Sequence, residues 1–427
     1  MVSWWRNPFL RVHVGGAVAC AFYVWLATQA DVGEARGGLA LALVVGWLMT
    51  GWAAAATSES RSLRQAVVVW ALAFRLAGVG TEPTWEDDYH RYLWDGYQTL
   101  TTGNPYAEAP AHFFGRDDGM PVAVARQLDG INHPHLTTVY SPVPQAVFAA
   151  AAALAPGSFL VLKLLLLLIE AVGWWSLRRV LGWRGWVLAW WCPLAVTEFA
   201  FAGHPEAIGV ATMAMALAMW QRGRAGRCGA WVALATATKP LGAVMAPFAV
   251  GRFGWAAIVG GVTVWAACYV PWWAQGTTAE WPALRFMAGY FEYNSTGYAL
   301  LALVLPTKAA HMTAAALVVG FGGWTWVNWM RGDRGGWPPY ASILGVAFLC
   351  APVMNPWYAL WLLPIMTVRP TGWGIGVLLA VPLAYTHGWG DPGGAGTNYT
   401  HPAWTRPLEI VVVLGAMWWA RRWPRTD

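Results

Sequence analysis

Glu86-Asp87-Asp88-Tyr89-His90-Arg91-Tyr92-Leu93-Trp94-Asp95-Gly96 places four carboxylates, a histidine, an arginine and three large aromatic rings in one short stretch of a chain that is otherwise mostly hydrocarbon. A charged group costs roughly 2.5–3.5 kcal/mol or more at the centre of a bilayer, so this cluster belongs outside the membrane core or against water. The chain around it supplies the bilayer crossings. Of the 427 residues, 57% are hydrophobic and only 11% are charged, against about 25% charged in an ordinary soluble domain. Long apolar runs separated by short basic loops predict an all-α polytopic membrane protein.

A crossing takes about 20 apolar residues. The first three runs cover residues 9–27, 38–57 and 65–80; later ones cover 159–177, 186–203, 207–220, 255–273, 309–330, 340–353, 359–367, 372–385 and 408–420. The run 144–154 is too short to cross and predicts a helix at the outer face. The run 228–250 is interrupted by Lys239-Pro240 and has basic residues at both ends, the pattern of two half-helices meeting near the outer face. Aromatic residues at helical spacing over 89–102 predict an amphipathic surface helix. The total is about 11–14 membrane helices, short and re-entrant ones included. They form one domain, 1–427, with a large first outer loop, 81–143, and a second at 274–297.

Most of the 27 Lys and Arg, among them Arg6, Arg11, Arg61, Arg64, Arg178, Arg179, Arg222, Arg421, Arg422 and Arg425, fall on one side of this arrangement. The positive-inside rule makes that side the cytoplasm, which puts both termini inside and the acidic first loop outside. No small-residue cleavage site follows the first apolar run, so the reading is of an uncleaved membrane segment. The same sidedness accounts for the net charge of +6 without a nucleic-acid partner. The five cysteines are scattered through apolar runs with no metal-binding spacing and read as packing residues. The 33 tryptophans, many in pairs flanking apolar runs, read mainly as interfacial anchors.

The polar motifs collect on the outer side. Asp87 and Asp88 are candidate general bases, and Arg91, His204, Lys239 and His133 are candidate positive groups for a leaving phosphate. There is no GxxxxGK[ST] loop and no Rossmann glycine pattern to cradle a nucleotide, so a donor presented from the membrane lipids fits better. Plainer readings stand beside these. Asp87 and Asp88 would equally cap a helix beginning near Tyr89, Lys239 would snorkel to an interface, Asn355-Pro356 would break a helix, and Lys163 with Glu170 would form a buried structural pair. A transporter or flippase of an amphiphile is the competing function. It is motivated by the broken Lys239-Pro240 hairpin and opposed by the one-sided polar groups and the absence of an internal repeat.

With these residues in place, the chain from about Phe74 to Glu409 resembles the GT-C superfamily of membrane glycosyltransferases, most of all the bacterial polyprenol-phosphate-mannose-dependent mannosyltransferases. Phe74-Arg75-Leu76 followed by Asp87-Asp88-Tyr89-His90-Arg91-Tyr92-Leu93-Trp94-Asp95-Gly96 is similar to that family's first-loop signature. Asn104-Pro105-Tyr106, Ile131-Asn132-His133-Pro134 with Tyr140-Ser141-Pro142, and Gly203-His204-Pro205-Glu206-Ala207 resemble its further motifs, with Ser141 in place of the usual proline. Lys239, Glu292-Tyr293-Asn294 and Asn355-Pro356-Trp357-Tyr358 resemble its later positions. The resemblance implies inverting transfer of a sugar, mannose by preference, from a polyprenyl-phosphate donor to a lipid-linked or cell-envelope glycan acceptor. The reaction would occur outside a bacterial cytoplasmic (inner) membrane. It implies Asp88, or its neighbour Asp87, as the base, with Arg91, His204, Lys239 and His133 toward the phosphate. It further implies Tyr92, Trp94, Asp95, Asn104, Tyr106, Tyr140, Glu206, Asn294, Asn355, Trp357 and Tyr358 toward the substrates. No cofactor and no metal is implied. An O-antigen-ligase-like transferase would carry its large outer loop late in the chain; here it comes early.

Overall fold

A computed structural model describes residues 7–29, 32–56, 59–83, 85–116, 119–388 and 400–422. Arg6 and Arg425, expected from the sequence on the inner side, lie outside the described residues. Helices make up the described structure, with no strand among the described residues and one isolated bridge between Tyr293 and Val353. Among the described residues five helices are long and apolar enough to cross a membrane: Pro8–Leu26, Ala35–Ala54, Arg61–Val79, Phe159–Leu177 and Trp255–Trp273. The protein is therefore an all-α polytopic membrane protein, as its hydropathy pattern predicts.

In chain order the helices are α1 (Pro8–Leu26), α2 (Val32–Ala54), α3 (Arg61–Val79), α4 (Tyr89–Thr102), α5 (Val122–Asp129), α6 (Pro142–Leu154), α7 (Phe159–Leu177), α8 (Trp183–Trp191), α9 (Pro193–Val196), α10 (Glu206–Gln221), α11 (Ala225–Thr236), α12 (Ala246–Phe253), α13 (Trp255–Trp273), α14 (Trp281–Tyr290), α15 (Gly297–Val304), α16 (Thr307–Arg331), α17 (Tyr340–Cys350), α18 (Leu363–Val368), α19 (Gly372–Ala380) and α20 (Thr405–Arg422). The amphipathic helix of the first loop forms with the bounds expected of it. The run 186–203 is not one helix. Pro193 has no N–H to continue α8, so the chain breaks at Cys192 and restarts at Pro193; a turn of wider π-type helix then carries Thr197–Phe201. The break at Lys239-Pro240 is present: α11 stops at Thr236, Lys239 is extended as a residue before proline tends to be, and a 3-10 turn leads into α12. The second polar loop holds a helix of its own, α14, which its hydropathy does not announce.

The centre of the bundle is α10, whose residues from Glu206 to Trp220 are all buried. Small residues let neighbours come close to it. A methyl group on Gly209 would overlap the Trp361 ring, and one on Gly173 would overlap Ala211. Gly96 does the same for the first loop, since a side chain there would strike the backbone of Phe148, so α4 lies directly on α6. Of the paired tryptophans, Trp418 and Trp419 are exposed as anchors should be, whereas Trp174 is fully buried beside exposed Trp175.

Two buried charges hold α3 against α7, in a pairing that differs from the sequence expectation. Glu170 does not pair with Lys163. It takes Arg75 in a two-point bridge, with Nε to Oε2 at 2.8 Å and Nη2 to Oε1 at 2.5 Å, and accepts a further bond from Trp174 at 3.1 Å. Lys163 instead donates to the backbone carbonyls of Gly78, Thr81 and Phe201 at 2.9, 2.5 and 3.4 Å. It thereby ties the end of α3, the turn after it and the end of the π-type turn to α7. Removing one partner of a buried pair costs about 3–5 kcal/mol, because the other charge stays behind. Glu170→Ala is therefore expected to lower the thermal unfolding midpoint in detergent far more than Glu59→Ala, which breaks a surface pair with Arg64 worth about 0–1 kcal/mol. Equal shifts would contradict the buried-pair account.

Candidate active site

The segment after α3, the start of α4, the residues after α5, the start of α10, the Lys239 break, α14 and the segment before α18 surround one cavity of about 940 Å³. Asp87 and Asp88 stand on its wall with Glu86. Asp88 occupies the N-cap position of α4 but makes no capping hydrogen bond with its side chain, so its carboxylate remains available to the cavity. The Tyr140 hydroxyl donates to Asp88 Oδ2 at 3.4 Å, and the Asn132 amide donates to Asp87 Oδ1 at 2.5 Å. Glu86 turns back, its Oε1 accepting from the backbone N–H of Asp87 and Asp88 at 3.1 and 3.3 Å.

Opposite charge arrives from the broken hairpin. Lys239 Nζ donates to Glu206 Oε1 at 2.5 Å and lies 3.8 Å from the centre of the Tyr358 ring. The second oxygen of Glu206 is buried without a partner. Burial, and then the neighbouring charges of Asp87 and Glu206, push the Asp88 carboxyl up to about 6; Lys239 and the Tyr140 bond pull it partly back. Asp87, which is more exposed, is raised chiefly by burial and held lower by His90 and Asn132. The two adjacent acids are thus distinguished by their surroundings. Only Asp88 combines the cavity wall, a hydroxyl donor and a nearby lysine.

The other sequence-predicted residues divide in two. Tyr92, His133, Tyr140, Glu206, Lys239, Asn355, Trp357 and Tyr358 line the cavity. His133 does so from a left-handed backbone conformation, φ 49°, with its ring edge-on to Phe291, a conformation that costs a non-glycine residue free energy. Arg91, His204, Trp94, Asp95, Asn104, Tyr106 and Asn294 do not line it. Arg91 bridges Asp95 at 2.9 Å and donates to the Leu136 carbonyl at 3.0 Å. Asp95 is 1% exposed and also accepts from Gln145. Together they clip the loop carrying His133 and Tyr140 to α4. Trp94 fills a small core with Val124, Leu128 and Ile131. Asn104 closes a turn by accepting from the Tyr106 N–H, and the Tyr106 hydroxyl donates to the Tyr140 carbonyl at 3.0 Å. His204 is fully buried behind Trp357, stacked on it at 4.0 Å, with Nδ1 2.9 Å from the Tyr92 hydroxyl. Asn294 donates to Glu409 at 3.0 Å, in a second cavity.

Some of the wall is not foreshadowed by any motif. Arg36 comes from α2, and Tyr385 and His387 come from the end of the chain. Glu86, Asp87 and Asp88 each offer an oxygen within 4.8 Å of the others. Hard divalent cations such as Mg²⁺ or Mn²⁺ take oxygen ligands of this type.

Residues 12–256, more than half of the chain, match the family of the alpha-(1->6)-mannopyranosyltransferase N-terminal domain. The chain belongs to that family. The matched span contains Asp87, Asp88, Tyr140, Glu206 and Lys239, and so most of the charged wall of the cavity. No curated protein and no solved structure matches the chain. A mannosyltransferase needs a group to receive the acceptor's proton, and a carboxyl titrating near neutrality is suited to that. Infrared titration of the purified mannosyltransferase should show a carboxyl with a midpoint near pH 6 that is absent in Asp88→Asn. Tyr140→Phe removes a hydrogen bond to the charged form, so the midpoint should move to higher pH; a downward move or none would contradict the assignment.

Proposed function

We propose that this mannosyltransferase takes its sugar from a polyprenyl-phosphate donor and passes it, with inversion, to a lipid-linked or cell-envelope glycan. In this reading the cavity opens on the outer side of a bacterial cytoplasmic membrane and both termini lie in the cytoplasm. The observation that carries the reading is the pairing of a raised, cavity-facing Asp88 with Lys239–Glu206 on one wall of a cavity walled by aromatic rings. The one-sided distribution of Lys and Arg supports the orientation, and the lack of a nucleotide-binding loop supports a donor delivered by the membrane.

An acceptor hydroxyl lies against Asp88. As its oxygen bonds to the anomeric carbon, its proton passes to the Asp88 carboxylate, and the bond from that carbon to the phosphate oxygen breaks on the opposite face. The phosphate leaves with the bonding electrons. Asp88 must be ionised to start, so transfer falls as the pH drops below about 6. Tyr140 orients the carboxylate, and Glu206, fixed by Lys239, keeps it basic by charge repulsion. The half-buried Trp357 ring on the cavity wall offers a stacking surface for a sugar ring, with Tyr92 packed on Phe148 behind the wall. Arg91 and Asp95 hold the loop, and His204 fixes Tyr92 and Trp357 from behind.

Asp88→Asn keeps the shape of the side chain and removes its basicity. Transfer from a synthetic polyprenyl-phosphate mannose should fall by about 10²–10⁴-fold, the usual contribution of a positioned base, with donor binding retained. Asp87→Asn should be much milder. Near-normal turnover by a folded Asp88→Asn variant would refute the assignment, and loss confined to Asp87→Asn would move the base to its neighbour.

A further inference from the structure

Two cations from outside the first loop reach the cavity wall, and their surroundings differ. The Lys239 ammonium is already matched: Glu206 takes it at 2.5 Å and Tyr358 covers it. The Arg36 guanidinium, 7% exposed, is not. Nη1 donates to the His387 carbonyl at 2.9 Å, and Nη2 meets His387 Nε2 at 2.9 Å. Burial, then the Arg36 charge itself, hold the His387 ring down at about 4, so both partners are neutral acceptors. Arg36 makes no ion pair among the described residues, and its buried Nε has no partner. A guanidinium carries five N–H donors, and most of these remain uncommitted. A buried cation without a counter-ion is costly, and an anion with several oxygens completes it.

The position of Arg36 says what kind of anion. The Tyr293 hydroxyl lies 3.1 Å from His387 Nδ1, and Tyr293 forms the short bridge with Val353 through N–H to Pro352 O and Met354 N–H to Tyr293 O, both 2.9 Å. Tyr293 and Val353 face the large cavity, while the next residues, Asn294 and Met354, face a second cavity of about 480 Å³. That second cavity is bounded by α16, α17, α19 and α20, and side chains such as Phe348, Trp373 and Val413 make its wall mainly apolar. Arg36 and His387 therefore stand where a polar chamber adjoins an apolar one.

We propose that Arg36 holds the phosphate of the lipid donor, with the isoprenoid chain passing over the Tyr293–Val353 bridge into the apolar cavity, and that Lys239 serves to fix Glu206 beside Asp88. This rests on the lipid-phosphate donor proposed above. Calorimetric titration of the full chain in detergent with farnesyl phosphate, farnesol and inorganic phosphate tests it. Wild-type protein should bind farnesyl phosphate well above the other two. Arg36→Gln should weaken farnesyl phosphate binding about ten- to a hundredfold, the range for losing a charge-assisted contact, and Arg36→Lys should be intermediate because a point charge replaces a planar fork. Ser342→Phe, which narrows the apolar cavity, should weaken farnesyl phosphate and leave inorganic phosphate unchanged. If Arg36→Gln is folded and binds farnesyl phosphate as wild type does, the Arg36 site is wrong while the lipid donor stands; should that variant not fold, wild-type affinity in Arg36→Lys overturns the site instead. Unchanged farnesyl phosphate affinity in Ser342→Phe overturns the route of the chain. Wild-type protein that prefers farnesol, or binds none of the three, overturns the lipid-phosphate reading itself.

Discussion

The bridge between Arg75 and Glu170 fixes α3 to α7, and the first loop begins where α3 ends. Lys163, also on α7, takes the carbonyls of Gly78 and Thr81 at that same end. Two buried cations, one paired with a carboxylate and one solvated by backbone oxygens, thus set the point from which the chain runs to Asp87 and Asp88. In hydrocarbon neither cation could be left without such partners, so the junction has few alternative arrangements. From there α4 lies on α6 through Gly96, and Arg91 with Asp95 draws the later part of the loop back over α4. The acid at the cavity wall is placed by this sequence of contacts rather than by the loop's own preferences.

The cavity then sorts its charges. Asp88 is raised first by its burial and then by the charges of Asp87 and Glu206 near it. Lys239 is close enough to keep that shift moderate, and its own charge is absorbed by Glu206. Arg36 is left as the uncompensated cation on a different stretch of wall. The proposed reaction accepts a proton at one place and releases an anion at another, and a single merged cluster of charges would neutralise itself.

Much of this is legible in the sequence where local pattern decides the outcome. Hydropathy delimits α7 and α13, aromatic spacing delimits α4, and the acids of the first loop announce themselves as the charged exception in an apolar chain. Prolines mark breaks at Lys239-Pro240 and Cys192-Pro193, although the second lies inside a run apolar enough to read as continuous. What local pattern does not carry is pairing. Lys163 and Glu170 lie two turns apart on α7 and look like partners, yet each finds a better one on α3. Arg91 and Asp95 look like ligand-binding groups and are spent on each other. Arg36 and His387 meet across 351 positions, and no spacing rule connects α2 with the end of the chain. Family membership supplies the mannosyl chemistry; the arrangement of the cavity supplies the residues proposed to perform it.

The central claim is that mannose arrives on a lipid phosphate and leaves with inversion at the anomeric carbon. The most direct measurement supplies purified protein and a glycan acceptor with mannose on either polyprenyl phosphate or a nucleotide diphosphate, and reads the anomeric configuration of the product by NMR. The account predicts transfer from the lipid phosphate alone, with the product's configuration opposite to the donor's. Transfer from the nucleotide donor, or a product that keeps the donor's configuration, would contradict it.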